Sequence, residues 1–290
     1  MNETRNTPLV SVIVPMYGVE AYIACCAESL FAQTYPAIEF LFVDDGGKDR
    51  TVEILRGVLE RQDPALQARV QIISKANEGL PRARKTGLDL AKGEYIFHLD
   101  ADDWVEPDAV ERLVKEALRT DADLVYFDFW KEYGSRRKLD RERAYSEQNK
   151  VIWMKRLYND GAYGYVWCKF ARRALYQDIF VPRYNMHEDI VFSTQLIWRA
   201  SRIVQLSVPL VHYRRTNATS ATRVDKGTRR IQSARNILDL CVNGGPEVAV
   251  VRKEMIRKAA WNAFRYDRSL FDEYPFLRKE APLILRLLSV

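Results

Sequence analysis

Three carboxylates stand within four residues at Asp100-Ala101-Asp102-Asp103, straight after a short apolar run. At that density they repel one another unless a positive charge neutralises them. A hard divalent cation does so, and oxygen ligands of this kind suit Mg²⁺ or Mn²⁺, which takes one or two protein carboxylates plus substrate phosphates. The same turn also reads as a cap for the following helix, with Asp103 nearest that helix. A second acidic turn, Asp44-Asp45-Gly46-Gly47, carries glycines that let backbone approach a ligand closely. Its carboxylates suit a base N–H or ribose hydroxyls, and taken alone it is equally a plain turn. The stretch 77–87 places Arg82 and Arg84 in the first turns of a helix, where the dipole disfavours cations. That placement points to an anion nearby, either a diphosphate or the Asp100 cluster, or else to an exposed basic face. His187-Glu188-Asp189 sets two carboxylates at a helix start, where a general base is conceivable. His212-Tyr213-Arg214-Arg215 and the Thr, Asn and Ser residues up to 222 suit phosphate capture. His212 itself reads as a satisfied core histidine at the end of a strand.

The elements that must position these groups alternate. Apolar runs at 10–14, 38–43, 70–74 and 95–99 read as strands, with helical spacing at 19–33, 51–59, 80–91 and 109–118 between and after them. Such alternation implies right-handed crossovers and a mostly parallel sheet. Ligands then bind beyond the carboxyl ends of the strands. The polar clusters after residues 15, 43 and 99 should therefore meet on one edge. The second half is less regular. Residues 124–130 and 203–213 read as strands and 190–199 as a helix. Residues 135–148 are so charge-dense that they read as a solvated excursion. From residue 228 onward two or three basic helices are expected, with a break at Asn243-Gly244-Gly245-Pro246.

A length of 290 residues with 47% hydrophobic and 29% charged side chains is ordinary globular composition. It excludes a disordered chain, a collagen-like fibre and a disulfide-stapled mini-protein. The net charge of +6 lies wholly in the last quarter, since residues 221–290 hold 14 basic and 8 acidic side chains. The four cysteines form neither a C-x-x-C pair nor a disulfide framework, so a reduced, cytoplasmic protein is expected. The N-terminal residues do not read as a signal peptide, and no window reads as a membrane span.

Six segments carry a resemblance over residues 8–220: VSVIVPMYG, FVDDGGKDRT, NEGLPRARKTGLDLAKGEYIFHLDADDW, WCKFARR, HEDIVFS and HYRRTNATS. In this order they resemble the inverting glycosyltransferases of family 2. The resemblance implies an α/β GT-A fold, a Rossmann-like and mostly parallel sheet flanked by helices, with a C-terminal helical extension. It implies a catalytic domain over 1–220, whose half 1–105 takes the nucleotide-sugar and whose half 106–220 takes the acceptor. Residues 221–290 would be the basic extension. By matching positions, Asp45 would contact the nucleobase, Asp44 would support its loop, and Pro15 and Tyr17 would line the base pocket. Asp100 would face the ribose and Asp102 would ligate Mn²⁺ or Mg²⁺ at the diphosphate. Asp189 would be the catalytic base with Glu188 beside it. Arg84 joins the donor-binding set, and Arg214 and Ser220 would lie on a loop closing over the diphosphate. Trp104, Trp167 and His187 would shape the sugar and acceptor pocket.

The partners so implied are a nucleotide-sugar, in this family usually a UDP-sugar, and a glycan or lipid-linked acceptor, in polysaccharide biosynthesis of the cell envelope. The basic C-terminus suggests either peripheral contact with the inner face of a membrane, a homodimer contact, or helices packed on the catalytic domain. No nucleic-acid motif is present. The chain departs from the family at Gly47, usually Ser or Cys, at Gly18, commonly Asn, and at Lys85, frequently Asn. Two other readings stand beside this one, a nucleotidyltransferase and a non-catalytic nucleotide-sugar-binding protein. The first usually carries a Gly-rich basic loop after its first strand, which Met16-Tyr17-Gly18-Val19-Glu20 is not.

Overall fold

The computed structural model describes residues 7–217 and 225–281. Along the chain the strands are β1 (Val10–Met16), β2 (Ile38–Asp44), β3 (Val70–Ser74), β4 (Tyr95–His98), β5 (Trp104–Val105), β6 (Leu124–Glu132), β7 (Arg137–Asp140), β8 (Lys169–Arg172) and β9 (Ile203–Arg214). The helices are α1 (Ile23–Phe31), α2 (Thr51–Leu59), α3 (Pro64–Gln67), α4 (Leu80–Leu90), α5 (Ala109–Thr120), α6 (Lys150–Tyr158), α7 (Glu188–Arg199), α8 (Lys226–Asn243), α9 (Glu247–Tyr266), α10 (Leu270–Glu273) and α11 (Phe276–Glu280). Two short 3-10 turns, Val166–Cys168 and Arg173–Tyr176, flank β8.

The strands form one sheet in the order β3-β2-β1-β4-β8-β6-β9-β5, with β7 paired to β6. The first four are parallel, as the alternating pattern predicts. Every residue of β1 and β2 is buried, which is why both read as continuous apolar runs rather than alternating ones. The sheet then turns mixed. β8 runs antiparallel to both β4 and β6, β9 is parallel to β6, and β5 is antiparallel to β9. The sheet is thus parallel from β3 to β4 and mixed beyond it. Residues 135–148 are corrected. Gly134, at φ +78, turns the chain so that Tyr133 N–H donates to Arg136 O at 2.7 Å, and charged β7 pairs along β6. Charge on such an outer strand discourages further pairing.

Each face of the sheet carries a core. One packs Ile23 and Leu30 of α1, Leu55 of α2 and Leu113 of α5 against the sheet. The opposite core runs from Ile13 and Ile96 through Met154 of α6 and Val191 of α7 to Ile237 of α8, Met255 of α9 and Leu277 of α11. Fully burying each such side chain contributes about 1.5–3 kcal/mol. The basic C-terminal helices are therefore packed into the same core as α6 and α7. No helix among the described residues is long and apolar enough to cross a membrane. The apolar segment 282–288 lies outside the described residues.

Candidate active site

The parallel register brings the carboxyl ends of β1, β2 and β4 to one edge. Val14 and Pro15 of β1 pair with Phe42 and Val43 of β2, and Ile13 pairs with His98 of β4. The turn 100–103 therefore leaves the sheet beside the loops after Met16 and Asp44. Tyr17, just past the strand, is 61% exposed on this edge, while Pro15 is buried within β1.

Asp44 and Asp45 fasten the loops of this edge. Asp44 accepts from the Gly47 N–H at 3.0 Å and closes its own turn. Asp45 accepts from Lys75 Nζ at 3.0 Å, Glu78 N–H at 3.0 Å and Gly79 N–H at 2.7 Å. It thereby holds the segment leading into α4. Gly79 sits at φ +91, and a Cβ there would stand 2.6 Å from Asn185 Oδ1. That close approach lets Asn185 accept the Leu80 N–H at 2.9 Å and ties α4 to the segment before α7.

Arg84, on α4, is 0% exposed. Its Nη2 lies 2.8 Å from Asp100 Oδ1 and 3.7 Å from Asp189 Oδ1, and its Nε lies 3.3 Å from Glu188 Oε1. One guanidinium thus gathers a carboxylate from the end of β4 and two from the start of α7. Burial pulls the Arg84 pKa down, but Asp100, Glu188 and Asp189 outweigh it and leave it above its ordinary value. Of the two anions suggested by the basic start of α4, the Asp100 cluster is the one that Arg84 meets within the chain.

Glu188 and Asp189 differ in access. Glu188 is 2% exposed, and its second oxygen accepts the Asp189 N–H at 2.6 Å. Asp189 keeps 20% of its side chain exposed and accepts the Val166 N–H at 3.3 Å. Burial raises both carboxyls, Glu188 further through Asp189, while Arg84 pulls both back. Glu188 is the buried member of the pair and Asp189 the more accessible one. The helix itself is entered through His187 in the left-handed region, φ +59, with no side-chain cap.

The His187 side chain meets α8. Its Nδ1 lies 2.6 Å from Ser233 Oγ on α8, so it joins α7 to the C-terminal helices. Trp104 and Trp167 both have ring partners. Trp104 stacks on His212 at 4.9 Å, and Arg214 lies over its ring at 4.6 Å, so partners already occupy it. Trp167 is buried against Phe129 and stacked on Tyr165. Tyr163, Tyr165 and Tyr213 form an aromatic group, and Tyr165 precedes Val166, whose N–H donates to Asp189. Buried Lys169 donates to the backbone oxygens of Tyr165 at 2.7 Å and Tyr163 at 3.3 Å and fixes that loop. In the sequence these tyrosines look like any other core aromatics.

On the opposite side of Arg84, the turn 100–103 meets the end of β9. Arg214 N–H donates to Asp103 Oδ1 at 2.7 Å, and its Nε to Asp102 O at 2.9 Å. Asn217 Nδ2 donates to Asp102 Oδ2 at 2.6 Å. Burial, then Asp100, raises the Asp102 carboxyl above its ordinary value. Asp103 is raised further, by burial and by its two neighbours, and Asp103 Oδ2 has no hydrogen-bond partner among the described residues. Among those residues no three His, Cys, Asp or Glu side chains are set to hold a metal ion. His212 sits between Glu132 at 2.7 Å and Glu106 at 3.1 Å, in the satisfied role expected of it. Ser220 lies outside the described residues. Of the departures, Lys85 pairs with Asp89 on its own helix, away from the site. At Gly47 a Cβ would meet Asp44 and Asp49 oxygens at 3.3 Å, so a small side chain needs only slight adjustment.

An acidic strand-end edge is thus joined through a buried arginine to a second acidic helix start. The family model described as glycosyl transferase family 2 matches residues 11–180, and the chain belongs to that family. It is 35% identical over 225 residues to glycosyltransferase EpsJ of Bacillus subtilis (strain 168), covering 75% of this chain and 64% of that protein. It is 32% identical over 217 residues to glycosyltransferase EpsH of the same strain, covering 72% of this chain and 61% of that protein. The chain thus spans under two thirds of the length of these relatives. Among solved structures it is similar to S. aureus TarS 1-349 in complex with UDP-GlcNAc, with a TM-score of 0.69 at 19% identity, over 91% of this chain and 74% of that one. It is also similar to the mannosyltransferase PcManGT from Pyrobaculum calidifontis in complex with GDP-Man and Mn²⁺, with a TM-score of 0.59 at 17% identity, over 97% and 79%. These likenesses show the GT-A type of fold.

Proposed function

We propose that this chain transfers a hexose, with inversion, from a UDP-sugar to a hydroxyl of a glycan or lipid-linked saccharide. The observation that carries the reading is the Arg84 clamp. A single buried cation fixes Asp100, on the strand-end edge, against Asp189, the accessible carboxylate of α7. Donor side and base side are held in one rigid unit. UDP-GlcNAc in TarS and GDP-Man in PcManGT support a nucleotide-sugar donor, and a 38% identical stretch of 138 residues in Escherichia coli chondroitin synthase supports a glycan acceptor.

In this reading Asp189 accepts the proton of the acceptor hydroxyl. The oxygen attacks the anomeric carbon from the face opposite the nucleotide, and the bond to the diphosphate oxygen breaks with its electron pair. The products are the inverted glycoside and a nucleoside diphosphate. Raising Asp189 by burial makes it a stronger base near neutral pH, while Arg84 keeps the ionised form accessible. Glu188 and Asp100 hold Arg84 in place. Tyr165 and Tyr213 offer an aromatic wall for a sugar beside the base. Tyr17 is free to lie along the base of the nucleotide.

A divalent ion fits the turn 100–103. Asp102 is raised by burial and by Asp100, so its environment is short of positive charge. Mn²⁺ or Mg²⁺ needs only one or two carboxylates when phosphates complete its shell, so the lack of a three-residue cluster agrees with Asp102 as the main protein ligand. When bound, the ion supplies charge that stabilises the departing diphosphate. Incubation with UDP- and GDP-sugars, Mn²⁺ and candidate acceptors tests the reading. Release of nucleoside diphosphate supports it, pyrophosphate release would mean a nucleotidyltransferase, and neither product with intact nucleotide binding would mean a binding protein.

A further inference from the structure

A cavity of about 490 Å³ opens between the end of α6 and the flanks of α8 and α9. Three cations line it, Arg230 of α8 with Arg257 and Lys258 of α9, against the single carboxylate of Asp160. Lys258 Nζ already holds that carboxylate at 2.6 Å. Arg257 reaches only the neutral side chain of Asn159. Neither arginine has an ion-pair partner among the described residues. Cavity walls of one charge sign focus the field on an anion of the other.

Asn262, also in the lining, is 3% exposed, and its Nδ2 has no hydrogen-bond partner among the described residues. A buried donor left unmet calls for an explanation, and a bound acceptor oxygen supplies one. Trp261, 45% exposed, stands at the rim with an aromatic face beside the cations.

The cavity adjoins the start of α7. Burial, then the charges of Lys258 and Arg230, hold the His187 imidazole neutral, with its pKa lowered to about 4. Ser233, which meets the His187 ring at 2.6 Å, stands one turn after Arg230 on α8 and so sets the cavity wall beside the start of α7. His187 immediately precedes Glu188 and Asp189 in the chain.

We propose that this cavity is an acceptor subsite for a phosphate ester, bound by Arg230, Arg257, Lys258 and the Asn262 amide. The inference rests on the glycosyltransferase reading, and it adds that the acceptor is anionic. The phosphate belongs either to a soluble phosphate-bearing glycan or to a lipid headgroup, and the chemistry recognised is the same.

Glycerol 3-phosphate is the probe, titrated calorimetrically into the full chain with its donor site filled by UDP and Mn²⁺. Glycerol is the neutral control. Saturable binding of the phosphate but not of glycerol is expected. It should weaken at least tenfold in the Arg230→Ala/Arg257→Ala double variant and in Asn262→Asp, with UDP affinity unchanged. Both arginines are outside the core, so the double variant should keep its melting temperature. Vesicles of phosphatidylglycerol and phosphatidylcholine form the second arm. Vesicle binding that competes with glycerol 3-phosphate and is lost in the double variant assigns the phosphate to a lipid headgroup. Soluble binding alone assigns it to a glycan. The proposal is overturned by absence of saturable binding, by binding that the double variant leaves unchanged, or by vesicle binding that glycerol 3-phosphate does not compete. Failure of UDP to bind would instead count against the donor assignment, with the phosphate titration still readable.

Discussion

Arg84 and the turn 100–103 handle crowded negative charge in opposite ways. Around Arg84 the protein supplies its own cation, and three carboxylates from distant parts of the chain converge on it. At Asp102 and Asp103 no ion pair forms among the described residues; Asn217 Nδ2 and the Arg214 N–H supply hydrogen bonds, the Arg214 charge acts from farther off, and both carboxyls stay raised, as Glu188 and Asp189 also do. Charge balanced from within is fixed structure. Charge left short of a cation is where a ligand's charge is accommodated. Asp100 belongs to both groups, so the fixed cluster also aligns the open one.

Removing the internal cation should have the largest effect. Arg84→Ala leaves buried carboxylates without their counter-ion, and stability should fall by about 3–5 kcal/mol. Chemical denaturation would measure it. A change below about 1 kcal/mol would mean the carboxylates are balanced in some other way, and the contrast between the clusters would collapse. Arg84→Lys keeps the charge but not the fork geometry, so it should recover only part of the loss.

Asp189→Asn comes next. Turnover should fall roughly 10²- to 10⁴-fold, with UDP affinity within twofold of wild type. Glu188→Gln should act differently, lowering stability more than it lowers kcat at matched folded fraction. Reversal of those two patterns would exchange the roles given to Glu188 and Asp189.

The open cluster is tested by metal removal. Chelation should weaken UDP binding about 10- to 100-fold, and Asp102→Asn should reproduce that weakening without further response to the chelator. If Asp102→Asn still gained affinity on adding Mn²⁺, the ion would have to sit elsewhere.

The parallel half was legible because β1, β2 and β4 are buried along their whole length and each runs into a polar turn. The helix expected at 51–59 and the strand expected at 70–74 fall on α2 and β3. The same regularity put the three acidic or polar turns on one edge. What remained hidden was set by distance in the chain or by backbone conformation. Arg84 meets Glu188 across 104 residues, and local pattern marked only that some anion stood near it. His187 looks like part of an acidic motif, yet its left-handed backbone turns it toward Ser233. Trp167 is a conspicuous sugar-binding residue type, but Tyr165 and Phe129 cover it. Strand β7 carries too much charge for any apolar signal, because it needs only one partner and no covered face.

The smallest effect concerns His187, which lies between the fixed cluster and the basic cavity. Its pKa is lowered to about 4, against about 6.5 for an unfolded histidine, first by burial and then by Lys258 and Arg230. A lowered pKa means that the unfolded chain binds a proton that the folded chain refuses. The stability held above pH 6.5 is therefore lost as pH falls from about 6.5 toward 4, by at most about 1.4 kcal/mol per pH unit. Buried His98 acts in the same direction, while raised Glu188 and Asp189 act oppositely by taking up protons in the folded state. The total pH profile is a sum, so the informative quantity is the difference between wild type and His187→Gln. That variant should lose less stability between pH 6.5 and 5 than wild type does, as read from denaturation midpoints at each pH. Parallel profiles would mean that His187 takes up its proton freely in the folded chain. The cations of the cavity would then be too far from the start of α7 to influence it, and the adjacency of cavity and base would be lost as an argument.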